Sequence, residues 1–187
     1  MMNQQQRLIL IEKQDRSFET GTIEYINQQW VFFDEETEEA SLLDHFLHQE
    51  IEISRTDCWL KGMLIEGGRV QCGSELFDLH DRETIRIRKQ LIYSLERLLE
   101  QLQDEAFLYF INTLNSLQFS VHDCIYCYNH LNFLNPKDRV NGVNFLIFDN
   151  EEEICSIQHH FDYSSTRNDR FEFTLNNGKR TVIEKIS

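Results

Sequence analysis

The stretch Val121–Leu134 reads VHDCIYCYNHLNFL, and its reading decides the fold class of the second half of the chain. Val121, Cys124, Ile125, Tyr128 and Leu131 recur at spacings of three and four, the apolar stripe of a helix. Ser120 with Asp123 three residues on resembles a capping box, and Asn135-Pro136 supplies a stop. The spacing predicts a helix over 121–134. Before it, Leu91, Leu95, Leu98, Leu99, Leu102, Ala106, Phe110, Leu114 and Leu117 keep helical spacing. Asp104 is placed to cap a second helix and split that run. The short join at Gln118–Phe119 favours an antiparallel helical hairpin.

On either side the pattern changes to short strands. Residues 140–187 read as apolar or alternating runs at Gly142–Phe148, Glu153–Phe161, Arg170–Leu175 and Lys179–Glu184, with turns at Asp149-Asn150-Glu151 and Asn176-Asn177-Gly178. Asn-Gly between alternating runs is a strong hairpin signal. Residues 17–90 hold five or six short strands, an acidic loop at Asp34–Glu39, a Ser41-x-x-Asp44 helix start and a Gly67-Gly68 turn. The fold class read from this is α+β: a small SH3-like β-barrel-type N-terminal lobe over 1–90, a central helical segment, and a C-terminal helix plus antiparallel β-meander over 91–187.

Composition bounds the partners. The 187 residues carry 32 acids against 18 bases, a net charge of −14. The excess is spread, with 18 acids and 10 bases in residues 1–90 and 14 and 8 in residues 91–187. Phosphate binding depends on clustered lysine and arginine. Neither nucleic acid nor an anionic membrane is therefore expected as a partner. Fourteen Phe, six Tyr and two Trp supply a core and argue against global disorder. Leu8-Ile9-Leu10-Ile11 is too short for a secretory apolar region, and no apolar run reaches the length of a membrane span. Five cysteines, an odd number, suit reduced thiols and a cytoplasmic setting.

Chemistry-bearing side chains concentrate in one place. His122, Cys124, Cys127, His130, Cys155, His159 and His160 put three of the five cysteines and four of the seven histidines into 39 residues. C-x-x-C is the usual first half of a zinc site. If the strand after it meets the helix, Cys155 and His159, which share a face, would complete four ligands with Cys124 and Cys127. Against this, Cys124 lies in an apolar stripe and packs there as a small hydrophobe. On another face of the expected helix, Asp123, Cys127 and His130 fall at i, i+4 and i+7, the minimum for a thiol beside a base. No oxyanion or pocket motif accompanies them. Arg82, Arg86, Arg88 and Lys89 are the one local basic cluster, suited to an anion or an acidic partner, or to guarding a strand edge and a helix start. Asp34–Glu39 reads as a solvated acidic loop.

The stretches Asp123–Leu131 (DCIYCYNHL) and Asn168–Arg180 (NDRFEFTLNNGKR), with Gln158-His159-His160, resemble a small family of uncharacterised proteins of bacilli, carried as a domain of unknown function. The resemblance runs over most of the chain. It implies a bacterial cytoplasmic setting and transfers no functional residues. Taken together, the sequence points to an interaction module for a protein partner, with no catalysis and no cofactor, and leaves its oligomeric state open. The alternative is a zinc-binding protein using Cys124, Cys127, Cys155 and His159.

Overall fold

The computed structural model describes residues 2–56, 58–134 and 141–186. The chain divides into two compact units, residues 18–89 and residues 1–17 with 90–187.

The unit of residues 18–89 is one antiparallel sheet. Its strands are β1 (Phe18–Ile26), β2 (Gln29–Asp34), β3 (Ala40–Leu42), β4 (Glu50–Arg55), β5 (Cys58–Ile65), β6 (Arg69–Cys72), β7 (Glu75–Asp78) and β8 (Thr84–Arg88). They pair in the order β3-β2-β1-β8-β4-β5-β6-β7. Asn27 and Gln28 both take positive φ, 51° and 66°, the two-residue turn whose twist matches a hairpin. Ile23, Phe32, Ile51, Ile53, Leu64, Val70, Ile85 and Ile87 alternate inward and form a buried cluster with Leu43 and Leu79. The expected SH3-like barrel is corrected here. Among the described residues no ladder joins edge strands β3 and β7, so the sheet is open. Turn signals reveal strands, but closure depends on stagger and tilt, which alternation does not encode. The helix expected after Ser41 is a 3-10 turn, Leu43–Phe46, flanked by Leu42 with no side-chain cap.

The second unit is a sheet covered on one face by helices α1 (Gln4–Glu12), α2 (Tyr93–Gln101) and α3 (Asp104–Ser116). The leucine run divides at Leu102-Gln103, just before Asp104. Asp104 does not cap α3. It binds Arg7 and the Met2 backbone N–H, and so fastens α1 to the α2–α3 junction. Strands β9 (Cys124–Tyr128), β10 (Asn141–Asp149), β11 (Ile154–Asp162), β12 (Asn168–Leu175) and β13 (Arg180–Ile186) lie in the order β13-β12-β11-β10-β9, all antiparallel. Phe110 of α3 is the hub of the core. Its ring lies 5.3 Å from Phe171, 6.0 Å from Phe173 and 6.3 Å from Phe148.

The helix expected over 121–134 does not form, and with it goes the helical hairpin. Residues Val121–Asp123 make a 3-10 turn, Cys124–Tyr128 make β9, and His130–Phe133 make another 3-10 turn. The capping box at Ser120 and Asp123 is real, but it opens only the first turn. The apolar spacing has a different cause. Ile147 opposes Tyr126 and Phe148 opposes Cys124, so the register slips by one residue and leaves Ile125 extra, as in a β-bulge. The bulge puts two consecutive exposed residues, Ile125 and Tyr126, between inward-facing Cys124 and Cys127. A strand then shows a spacing of three that copies a helix. The architecture is sheet-dominated, with thirteen strands and three α-helices described, rather than α+β around a central helical segment. The expected Pro136 stop lies outside the described residues.

Candidate functional site

The sheet of the second unit disperses the Cys/His cluster. Cys124, Phe148 and Cys155 form one cross-strand row, and Cys127, Leu146 and Ile157 form the next. His159 pairs with Asn144, four residues further along β11 than Cys155. That is roughly 13 Å of strand. Cys124, Cys127, Cys155 and His159 therefore share the core-facing side without meeting at a point. Among the described residues no three His, Cys, Asp or Glu side chains are grouped to hold a metal. Burial pushes the Cys124 thiol up to about 12, helped by its neighbour Cys127. Burial likewise raises Cys127 and Cys155 to about 11. These are protonated thiols at neutral pH, and reactivity belongs to the thiolate.

The Asp123, Cys127 and His130 constellation also separates. Asp123 is buried and accepts from Arg16 Nε and Nη2 at 2.8 and 2.7 Å and from the Ser120 backbone N–H at 2.6 Å. Cys127 lies on β9, where its carbonyl accepts from Ser94 Oγ of α2 at 2.8 Å. That bond helps cover the sheet edge. His130 sits in the following 3-10 turn, its ring stacked with Tyr128.

A buried polar network forms around His159, which has no solvent exposure. The His130 backbone N–H donates to Asn144 Oδ1 at 2.7 Å, so Asn144 turns its amide nitrogen to His159 Nδ1, 3.0 Å away. Nδ1 therefore accepts, and the imidazole proton sits on Nε2. It donates to Asp169 Oδ1 at 2.8 Å. Tyr163 Oη donates to the same oxygen at 2.5 Å. Phe171 stacks on the imidazole with ring centroids 4.4 Å apart. Burial lowers the His159 pKa, although Asp169 pulls it the other way. Tyr163 is raised by the same burial and by Asp169. Arg167 closes the assembly, lying over the Tyr163 ring and donating to the Gln101 carbonyl. Fixed on both nitrogens and shut from solvent, the imidazole pins β10, β11 and β12 together. Asn144 and Asp169 were not singled out from the sequence. An asparagine inside the apolar run Gly142–Phe148 was the available signal.

The opposite face of this sheet is unlike the first. Tyr126, Tyr128 and Phe145 are exposed there, and Phe133 is 72% exposed in the adjoining turn with its ring stacked on Tyr128. Beside them on β11 to β13, Glu172 is bridged by Arg170 and Arg180, with His160 Nε2 3.9 Å away. Those arginines, Arg180 first, hold the Glu172 carboxyl below its ordinary range. Two guanidiniums against one carboxylate leave this corner positive on an acidic protein.

In the other unit the basic cluster is engaged locally. Arg86 pairs with Glu52 and lies between the rings of Phe18 and Trp59, at 4.2 and 4.3 Å. Arg88 pairs with Glu50, and Arg82 lies 4.0 Å from Asp81. In the acidic loop Asp34 Oδ1 accepts the backbone N–H groups of Glu36 and Thr37, a turn-forming role.

The family model described as "Protein of unknown function (DUF2777)" matches residues 5–185. An uncharacterised protein of Bacillus subtilis (strain 168), YisN, is 35% identical over 175 residues, covering 93% of this chain and 89% of the relative. No solved structure matches. No helix among the described residues is long and apolar enough to cross a membrane. The chain belongs to the DUF2777 family, as the resemblance in its sequence implied.

Proposed function

We propose that this member of a family of unknown function is a non-catalytic, cytoplasmic interaction module. It holds a protein segment on the outer face of the β9–β13 sheet. The occupant is an extended or helical segment that presents apolar side chains beside a carboxylate. The observation that carries this is the exposed strip Tyr126, Tyr128 and Phe145 next to the positive corner of Arg170, Arg180 and Glu172. Aromatic residues and arginine are the side chains enriched where proteins bind one another. On a chain of net charge −14, a positive corner selects an acidic partner and gives register. The protonated thiols and enclosed imidazole support binding over catalysis. Five free cysteines support a reducing compartment. The overall charge argues against nucleic acid and anionic membrane.

A displayed peptide library tests this. Wild-type protein is expected to select peptides that combine apolar and acidic residues, with binding lost in Phe145→Ser and weakened in Arg170→Glu. Selection of basic peptides, or binding indifferent to Phe145→Ser, rejects the reading. So does micromolar self-association that Phe145→Ser abolishes, because the occupant would then be a second copy.

A further inference from the structure

The unit of residues 18–89 has a cleft of about 340 Å³ lined by Tyr25, Gln28, Gln29, Trp30, Asp44 and Gly67. Three turns build it: the Asn27-Gln28 hairpin, the 3-10 turn carrying Asp44, and the Gly67-Gly68 turn between β5 and β6. The Tyr25 and Trp30 rings stand 5.1 Å apart at 55° and form a corner, not a flat platform. The glycines hold the corner in place. Gly68 takes φ +69°, and a Cβ there would fall 2.1 Å from Trp30 Nε1. The indole can rest on this turn only because position 68 has no side chain. Asp44 is exposed and has no ion-pair partner among the described residues. Arg69, which follows the Gly67-Gly68 turn, is turned back to donate to the Glu66 carbonyl.

We infer that this cleft binds a methylated ammonium group. The ligand is an organic cation that rests on the two ring faces and meets the Asp44 carboxylate. Ring quadrupoles attract such cations, and bulky ammonium groups shed water easily enough to use them. A sugar would need an open aromatic platform, and the tilted corner denies it one. An anion would meet a unit with 16 acids and only 7 bases. The two glutamines offer polar contacts to whatever carries the cation, so the site accepts either a methylated lysine on a protein or a free quaternary amine.

The chain has two tryptophans, and Trp59→Phe leaves Trp30 as the fluorescent probe. Its emission is followed during titration with tetramethylammonium, choline and a trimethyl-lysine peptide. The controls are 3,3-dimethylbutanol, glucose and sodium chloride at matched ionic strength. A saturable change with the cations is expected, with no change from the neutral isostere, and Asp44→Asn should weaken binding about tenfold. Asp44 is exposed, so that variant keeps the fold. Tighter binding of the peptide assigns the ligand to a protein side chain, and tighter binding of choline assigns it to a free amine; both uphold the cation site. Failure of every cation to saturate, equal binding of 3,3-dimethylbutanol or glucose, or unchanged affinity in Asp44→Asn overturns it.

Discussion

His159 Nε2 donates to Asp169 Oδ1 across 2.8 Å, and neither side chain has any solvent exposure. The bond ties β11 to β12, and Asn144 on β10 extends the same buried polar row. A neutral imidazole beside a carboxylate is the arrangement that the Asn144 contact dictates.

Stability should therefore fall in mild acid. Burial holds the folded pKa of His159 below its ordinary 6.5, and the unfolded chain keeps the ordinary value. Below about pH 6.5 the unfolded state takes a proton that the folded state refuses. The contribution is present above that pH and lost as pH falls through it towards the folded pKa, with a slope of up to about 1.4 kcal/mol per pH unit. Asp169, Tyr163, His160 and Arg167 surround the ring, and the chain has six other histidines. The measurement is therefore a comparison. Urea midpoints between pH 7.5 and 5.5 should fall more steeply in wild type than in His159→Gln, which keeps a donor for Asp169 and cannot titrate. Equal slopes would reject the assignment.

Asp123 is expected to carry a large share of the unit's stability. Its carboxylate side chain is 3% exposed and takes both Arg16 and the Ser120 N–H. Asp123→Ala removes the carboxylate that the Arg16 guanidinium and the buried Ser120 N–H share, a loss of about 3 kcal/mol. Asp123→Asn keeps an acceptor and should fall between. Thermal melts of the two variants check the order, and a loss below about 1 kcal/mol in Asp123→Ala would contradict the assignment.

The strands other than β3 and β9, and the two leucine-rich helices, were legible because each leaves its own period in the sequence. Asn27-Gln28 and Asn177-Gly178 marked turns that the structure contains. The helix at Gln4–Glu12 was not legible, because only Ile11 of it is buried and its hold comes from Arg7, which donates to the carbonyls of Leu99 and Leu102. Such contacts span more than ninety residues and leave no local signal. The cysteines were visible as residues, but their separation depends on sheet register. The partners of His159 come from two other strands.

Thiol chemistry should follow burial. Cys58 is exposed, whereas Cys124 and Cys155 are buried with pKa values raised to about 12 and about 11. Ellman's reagent should modify Cys58 rapidly in the native protein, and Cys124 and Cys155 only after denaturant is added. A strong chelator should leave the melting temperature unchanged, because the four candidate ligands are spread along about 13 Å of sheet. One equivalent of zinc with a large chelator-induced fall in melting temperature would contradict this.

The β9 bulge gives the sharpest test of the fold. Deleting Ile125 removes the extra residue and leaves Cys124 opposite Phe148 and Tyr126 opposite Ile147. Every inward and outward side chain then keeps its face, and the fold should survive at a cost of about 1 kcal/mol. Deleting Cys127 instead, with Tyr128 still opposite Phe145, pulls Tyr126 into the inward position opposite Leu146. A phenol would have to fit where a thiol packed, costing about 3 kcal/mol or more by overpacking. A helix over 121–134 would respond differently, since either deletion rotates its face by about 100° and both should do comparable harm. Urea unfolding of the two deletions separates the cases. A stable Ile125 deletion beside a crippled Cys127 deletion is the expected result, and equal damage would remove the bulge as the explanation for the spacing of Cys124 and Cys127.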